Sequence, residues 1–279
     1  MTGHVTTPTA ALADELPGWV TLLRAPNPGP MTLDGTNTWL LRAPGRAEAI
    51  VIDPGPADEG HLARIAGHGP IAAVLITHGH PDHTAGSARL AELLGGVEVR
   101  AVDPAHTITA APLGPPHGAV LELAGLRIEP LPVPGHTADS VCFLVSHGDE
   151  QVLLTGDTIL GRGTTVVAHP DGNLGDYLAS LERLTAYQGV TALPGHGPAL
   201  ADCGAAARYY LAHRRARLDQ VRAAVAAGDR TAAEVVARVY ADVDRSLWWA
   251  AEWSVRAQLE HLGVPTGESG AGEPRLDQP

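Results

Sequence analysis

Four times in this chain a short apolar run ends in histidine or aspartate. Residues 71–76, "IAAVLI", run into "THGHPDH", which sets His78, His80, Asp82 and His83 within six residues. In the same way "LPV" leads into "PGHT" with His136, "VLL" into "TGDT" with Asp157, and "AL" into "PGHG" with His196. Apolar runs this short fit buried strands, so each donor stands where a strand leaves a sheet. His136, Asp157 and His196 each follow a glycine directly. A missing side chain there lets the backbone turn sharply and approach a crowded centre.

Imidazole nitrogen and carboxylate oxygen are donors that suit zinc, iron or manganese. One ion would leave most of these seven side chains unused, so two are expected. His78, His80 and His136 would hold one, Asp82, His83 and His196 the other, with Asp157 reaching both. Ions about 3.5–4 Å apart share a water and acidify it, so that a bridging hydroxide exists near neutral pH. Within "THGHPDH" a helix would place His80 and His83 on one face and turn His78 and Asp82 away. A tight loop stiffened by Pro81 is therefore expected. The other histidines, His61 and His106 among them, show no such convergence and are read as structural.

Strands are expected at residues 37–41, 48–53, 71–76, 98–103, 126–133, 140–145, 151–157 and 190–195, with helices at 58–69 and 84–96. No strict βαβ rhythm joins them, which suggests a mixed sheet architecture with helices on its outer faces. From about Cys203 the pattern becomes helical. A long helix ends near Gly228, a second opens at Thr231 with Glu234 completing a capping box, and a third runs over 246–263. The expected units are a catalytic domain over 18–202 and a helical domain over 203–263, with flexible tails at 1–17 and 264–279. Trp249 and Trp253, four residues apart beside Trp248, are expected to pack the helical unit against the sheets.

At 279 residues the chain can bury a full core, and no run of 18 apolar residues is present to cross a bilayer. Residues 1–18 lack the pattern of a secretion signal, so a soluble cytoplasmic protein without a membrane partner is expected. Cys142 and Cys203 do not make a metal or disulfide framework. The net charge of −12 is uneven: residues 1–203 hold 9 Arg against 21 Asp plus Glu, and residues 204–262 hold 9 Arg against 7. An acidic body with a faintly basic helical end is a poor binder of duplex DNA. The one basic cluster, "HRRAR" at 213–217, is read as a solvated helix face.

The order HxHxDH, Gly-His-Thr, Gly-Asp-Thr, Gly-His-Gly resembles the metallo-β-lactamase fold superfamily. That resemblance implies an α/β fold, a four-layer αββα sandwich with a dinuclear metal site at one edge. Dedicated zinc β-lactamases use a cysteine ligand or lack the bridging carboxylate, so Asp157 points away from that activity. "LDGTNTWLL", "GDTILGRGTTVV" and "TAAEVVARVY" are further similar to the branch typified by lactamase-β-like protein 2, with a small winged-helix-like carboxy-terminal domain. This implies cleavage of single-stranded RNA. Alternatives are a glyoxalase II-like hydrolase of a thioester or small ester, and a metal-binding module without hydrolysis. The resemblance also implies two divalent ions, zinc foremost with iron or manganese also suited, and catalytic roles for Asp82 and Asp157. Asp53 would brace the histidine loop, and Thr137 and Ser140 would bond to ligands or cap their turn. Asn37, Thr164 and Thr165 would lie near the substrate mouth.

Overall fold

The computed structural model of the chain describes residues 16–113 and 120–265. Its amino-terminal half builds one sheet from β1 (Val20–Arg24), β2 (Asn37–Leu41), β3 (Ala49–Ile52), β4 (Ile71–Leu75) and β5 (Val99–Arg100), in that order. Between these strands lie α1 (Glu59–Ala66), a single turn α2 (Pro81–Thr84) and α3 (Ser87–Leu93). A second sheet follows from β6 (Leu121–Leu123), β7 (Leu126–Pro132), β8 (Val141–His147) and β9 (Glu150–Gly156). After α4 (Leu174–Leu184), β10 (Thr191–Pro194) joins it in the order β10-β9-β8-β7-β6. The pairs β3–β4, β4–β5 and β9–β10 are parallel and the rest antiparallel, so both sheets are mixed.

Side chains alternate across each strand, and both faces are covered. Trp39, Leu41, Ile50 and Ile52 of the first sheet meet Val141, Phe143, Val145, Val152 and Leu154 of the second in a central core. The intervening Leu40, Val51 and Val74 pack outward under Leu62 and Ile65 of α1 and Leu90 of α3. On the opposite side Cys142, Leu144 and Leu153 pack under Tyr177 and Leu181 of α4. The layers are therefore αββα. Two-sided burial is why these strands read as continuous apolar runs instead of alternating ones. Each such side chain stabilises the fold by roughly 1.5–3 kcal/mol.

Three helices follow: α5 (Cys203–Ala226), α6 (Ala232–Val239) and α7 (Trp248–His261). The capping box between Thr231 and Glu234 forms in both directions. The expected boundary at 202/203 falls at the Asp202 N-cap of α5, but the helix serves both units. Ala206, Ala207, Tyr210 and Leu211 pack on the sandwich, while Val221 and Ala224 pack with α6 and α7.

Several expectations need correcting. Residues 81–84, expected as part of a tight loop, form one helical turn with Pro81 at its first position. The strand expected over 98–103 is only two residues long. The strands β1 and β6 and the helix α4 come in addition to the expected elements. The Trp249–Trp253 pair is edge-to-face at 4.8 Å, but Trp249 is 42% exposed and does not pack on the sheets, while Trp253 is half-buried. The core-facing stripe of α7 is instead made by Ala251, Val255 and Leu259. Most of both tails lies outside the described residues. Among the described residues no helix is long and apolar enough to cross a membrane.

Candidate metal centre

All seven donors meet at one edge of the sandwich. After β4 the chain turns at Gly79, where an added Cβ would lie 2.6 Å from His106 Nε2. His80 then N-caps the single turn α2, and that turn swings Asp82 and His83 back toward His78. His136 arrives from the loop after β7 through Gly135, whose φ of +135° favours glycine. Asp157 follows β9, and His196 follows β10 beside Gly195. A Cβ on Gly195 would lie 2.7 Å from His83 Cε1 and nearer still to Asp157 Oδ1, so this glycine opens the space the donors share.

The spacing of the donor atoms tests whether they suit a cation. His80 Nδ1 is 3.0 Å from His78 Nε2 and 3.1 Å from His136 Nε2. His196 Nε2 is 3.1 Å from Asp82 Oδ2 and 3.3 Å from His83 Nε2, and these last two residues are 3.4 Å apart. Zinc bonded at about 2.0–2.1 Å in a tetrahedron places its ligand atoms about 3.3–3.4 Å apart. The Asp82, His83 and His196 triad comes close to that edge length, and the edges from His80 to His78 and His136 are a few tenths of an ångström shorter. Asp157 stands between them, with Oδ2 3.3 Å from His196 Nε2 and 3.9 Å from His136 Nε2, and Oδ1 3.5 Å from His83 Nε2. Its Oδ1 is buried without a hydrogen-bond partner among the described residues. An orphaned anionic oxygen inside a ring of imidazole nitrogens fits a cation.

Outer contacts set the tautomers in the same sense. His83 Nδ1 donates to Asp53 Oδ2 at 2.8 Å, and His136 Nδ1 to the Val166 carbonyl at 2.8 Å. His78 Nδ1 is 3.1 Å from Thr77 Oγ1, whose proton goes to Asp53. When neutral, each of these three rings therefore turns an unprotonated nitrogen toward the centre, as metal-binding histidines do. Burial and the neighbouring His80 push His136 down to about 4, which keeps it neutral. Burial also opposes charge on His83 and His196, but the carboxylates of Asp82 and Asp157 overcome it, raising them to about 9 and about 11. The field that draws protons to these rings attracts divalent cations in their place.

Among the outer residues, Asp53 does brace the loop, at a positive φ of 52°. Thr137 and Ser140 bond to each other at 2.7 Å and cap their turn; neither hydroxyl reaches a donor ring. Asn37 is fully buried and donates to the carbonyls of Pro194 and Gly197, so it ties β2 to β10 and does not line a mouth. Thr165 is also buried, 3.2 Å from His136 Nδ1. Thr164 is half-buried beside it. Thr77 and Thr36 also touch the centre, and neither stands out in the sequence. Thr36 Oγ1 donates to Asp82 Oδ2 at 3.2 Å, a role that the "TNT" of residues 36–38 could have suggested only with the partner strand in view.

Comparison with known proteins agrees with this architecture. Residues 31–196 match the Metallo-beta-lactamase superfamily, and residues 231–263 the Beta-lactamase associated winged helix domain. The chain is 31% identical over 258 residues to the Beta-lactamase-like protein 2 homolog of Drosophila melanogaster, covering 85% of each. It is 31% identical over 185 residues to the atrochrysone carboxyl ACP thioesterase dmxR1 of a Cryptosporiopsis species, covering 63% of this chain but only 53% of that protein. A metallo-beta-lactamase family protein of Thermus thermophilus superposes with a TM-score of 0.69 at 25% identity, over 89% of this chain and 94% of its own. The chain thus belongs to the metallo-beta-lactamase superfamily, whose members are generally metal-dependent hydrolases, and ends in the winged-helix domain associated with it.

Proposed function

We propose that this protein uses two divalent ions, zinc foremost, to hydrolyse the acyl–sulfur or acyl–oxygen bond of a thioester or ester. The observation that carries the reading is the position of Asp157, a buried carboxylate between two donor triads. His78, His80 and His136 would hold one ion, and Asp82, His83 and His196 the other. The ions, when bound, supply a Lewis acid for the carbonyl oxygen and lower the pKa of water. Asp82 is the more open of the two donor carboxylates, its side chain 27% exposed against 10% for Asp157. It orients the attacking water and takes its proton, while Thr36 steadies the carboxylate. With a thioester the new carbon–oxygen bond forms as the carbon–sulfur bond breaks, and a thiolate leaves without needing a proton donor of its own. With an ester the old carbon–oxygen bond breaks and the proton taken by Asp82 passes to the leaving alkoxide oxygen.

Charge favours an acyl group over a polyanion. Asp157, Asp82 and Asp171 all act on His80, and the nearby Arg162 is bound to Asp34 at 2.5 Å. A phosphodiester chain would meet carboxylates there and gain little from an arginine that is already paired. The thioesterase named among the relatives acts on the same bond class.

A second reading, cleavage of single-stranded RNA, draws support from the exposed Trp249 beside the half-buried Trp253, on which bases could stack. The test is to give the zinc-loaded protein a panel of acyl thioesters, following free thiol, and a labelled single-stranded RNA. Asp157→Asn and a chelated sample run alongside. Thiol release that both controls abolish supports the acyl reading; RNA cleavage alone with the same dependence replaces it.

A further inference from the structure

The basic cluster at residues 213–217 reads as a solvated helix face, yet Arg214 on α5 is buried, 6% exposed. Its guanidinium lies over the Tyr177 ring, 5.3 Å from the centroid, and forms no salt bridge among the described residues. Its Nε has no hydrogen-bond partner there. A buried cation without a carboxylate is costly, and methionine would fill the same space without that cost. The guanidinium does bond to the Tyr177 side chain and, from its terminal nitrogen, to the Thr165 carbonyl.

That carbonyl belongs to the segment that orients His136. The Thr165 hydroxyl lies 3.2 Å from His136 Nδ1, and the next residue, Val166, accepts the Nδ1 proton at 2.8 Å. Elsewhere this loop is tied at its start, where Tyr177 donates to the Thr158 carbonyl and Tyr210 accepts from Leu160 N, and at its end, where Gly172 N donates to Ala168. We propose that Arg214 is a positioning residue for the metal centre: by gripping the Thr165–Val166 backbone from α5 it fixes the oxygens that hold His136, and so aims Nε2 at His80 and Asp157. Its functional consequence rests on the two-ion reading above.

The experiment is a zinc titration against a competing chelator for the metal-free wild type, Arg214→Met, Arg214→Lys and Arg217→Met. The imidazole nitrogen resonances of His136 are recorded in the metal-free proteins as well. Arg217 sits on the same helix but donates to Val239 and lies over Tyr240, so it controls for general loosening of α5. Arg214→Met is expected to weaken one of the two ions by about 10–100-fold, the range for lost outer-shell partners, and to leave the other unchanged. Its His136 Nδ1–H signal should broaden or vanish. Arg214→Lys should recover part of both effects, since an ammonium can reach the same carbonyl, and Arg217→Met should show neither. Unchanged affinities and an unchanged His136 signal in Arg214→Met would overturn the proposal, as would equal weakening of both ions. Should Arg214→Met not fold, Arg214→Lys decides by the same two readouts. A wild type that binds fewer than two ions would sink the two-ion reading instead, and the His136 signal would still decide the role of Arg214.

Discussion

Asp53 Oδ2 accepts the Nδ1 proton of His83 at 2.8 Å, and Oδ1 of the same carboxylate accepts from the Thr77 amide at 2.8 Å. One side chain at the end of β3 thereby pins the end of β4 and aims a donor ring. Asp53→Asn keeps the shape but offers an amide nitrogen where one of two acceptors stood. Affinity for the ion at Asp82, His83 and His196 should fall by about 10–100-fold, with the other ion retained. Titration with zinc checks this; two unchanged affinities would remove Asp53 from any role beyond the turn.

Two equivalents of zinc per chain are expected by elemental analysis after loading. His196→Ala should retain close to one, because the His78, His80 and His136 triad does not depend on it. Loss of both ions would mean that the triads are not separate sites.

Gly195→Ala should abolish metal uptake while the far-ultraviolet circular dichroism stays that of the wild type. The added methyl falls between Asp157 and His83, and overpacking of this kind costs about 1–3 kcal/mol. Full metal content in this variant would show that the donors can move apart without harm.

His61 gives a pH dependence in the metal-free protein. It is buried, with Nε2 2.9 Å from Thr38 Oγ1 and Nδ1 3.0 Å from Arg64. Burial first, and Arg64 second, lower its pKa from 6.5 to about 4. The unfolded chain therefore binds the proton first as pH falls. The stabilising contribution is complete above about 6.5, declines between 6.5 and 4, and changes no further below that. Urea unfolding should show the stability margin of wild type over His61→Gln shrinking across this window. A constant margin would refute the neutral, buried assignment.

Local spacing made much of the molecule legible. The strands β2, β4, β7, β8 and β9 follow from apolar runs, and the box at Thr231 and Glu234 from side chains three residues apart. The short α2 turn was not legible that way, because a proline after histidine opens a helix as readily as it stiffens a loop. Arg214 and Asn37 carry no local mark either, and their roles appear only in the carbonyls they reach, 49 and 157 to 160 residues away.

The sequence by itself determined which side chains could bind metal and that each stands at a strand end, since donor chemistry and strand period are local properties. Only the tertiary structure decided that these ends share one edge, which rings face inward, that Thr165 lies beneath His136, and that Trp249 stays exposed. Those facts depend on how two sheets and α5 pack, and packing is settled by surfaces that come from distant parts of the chain.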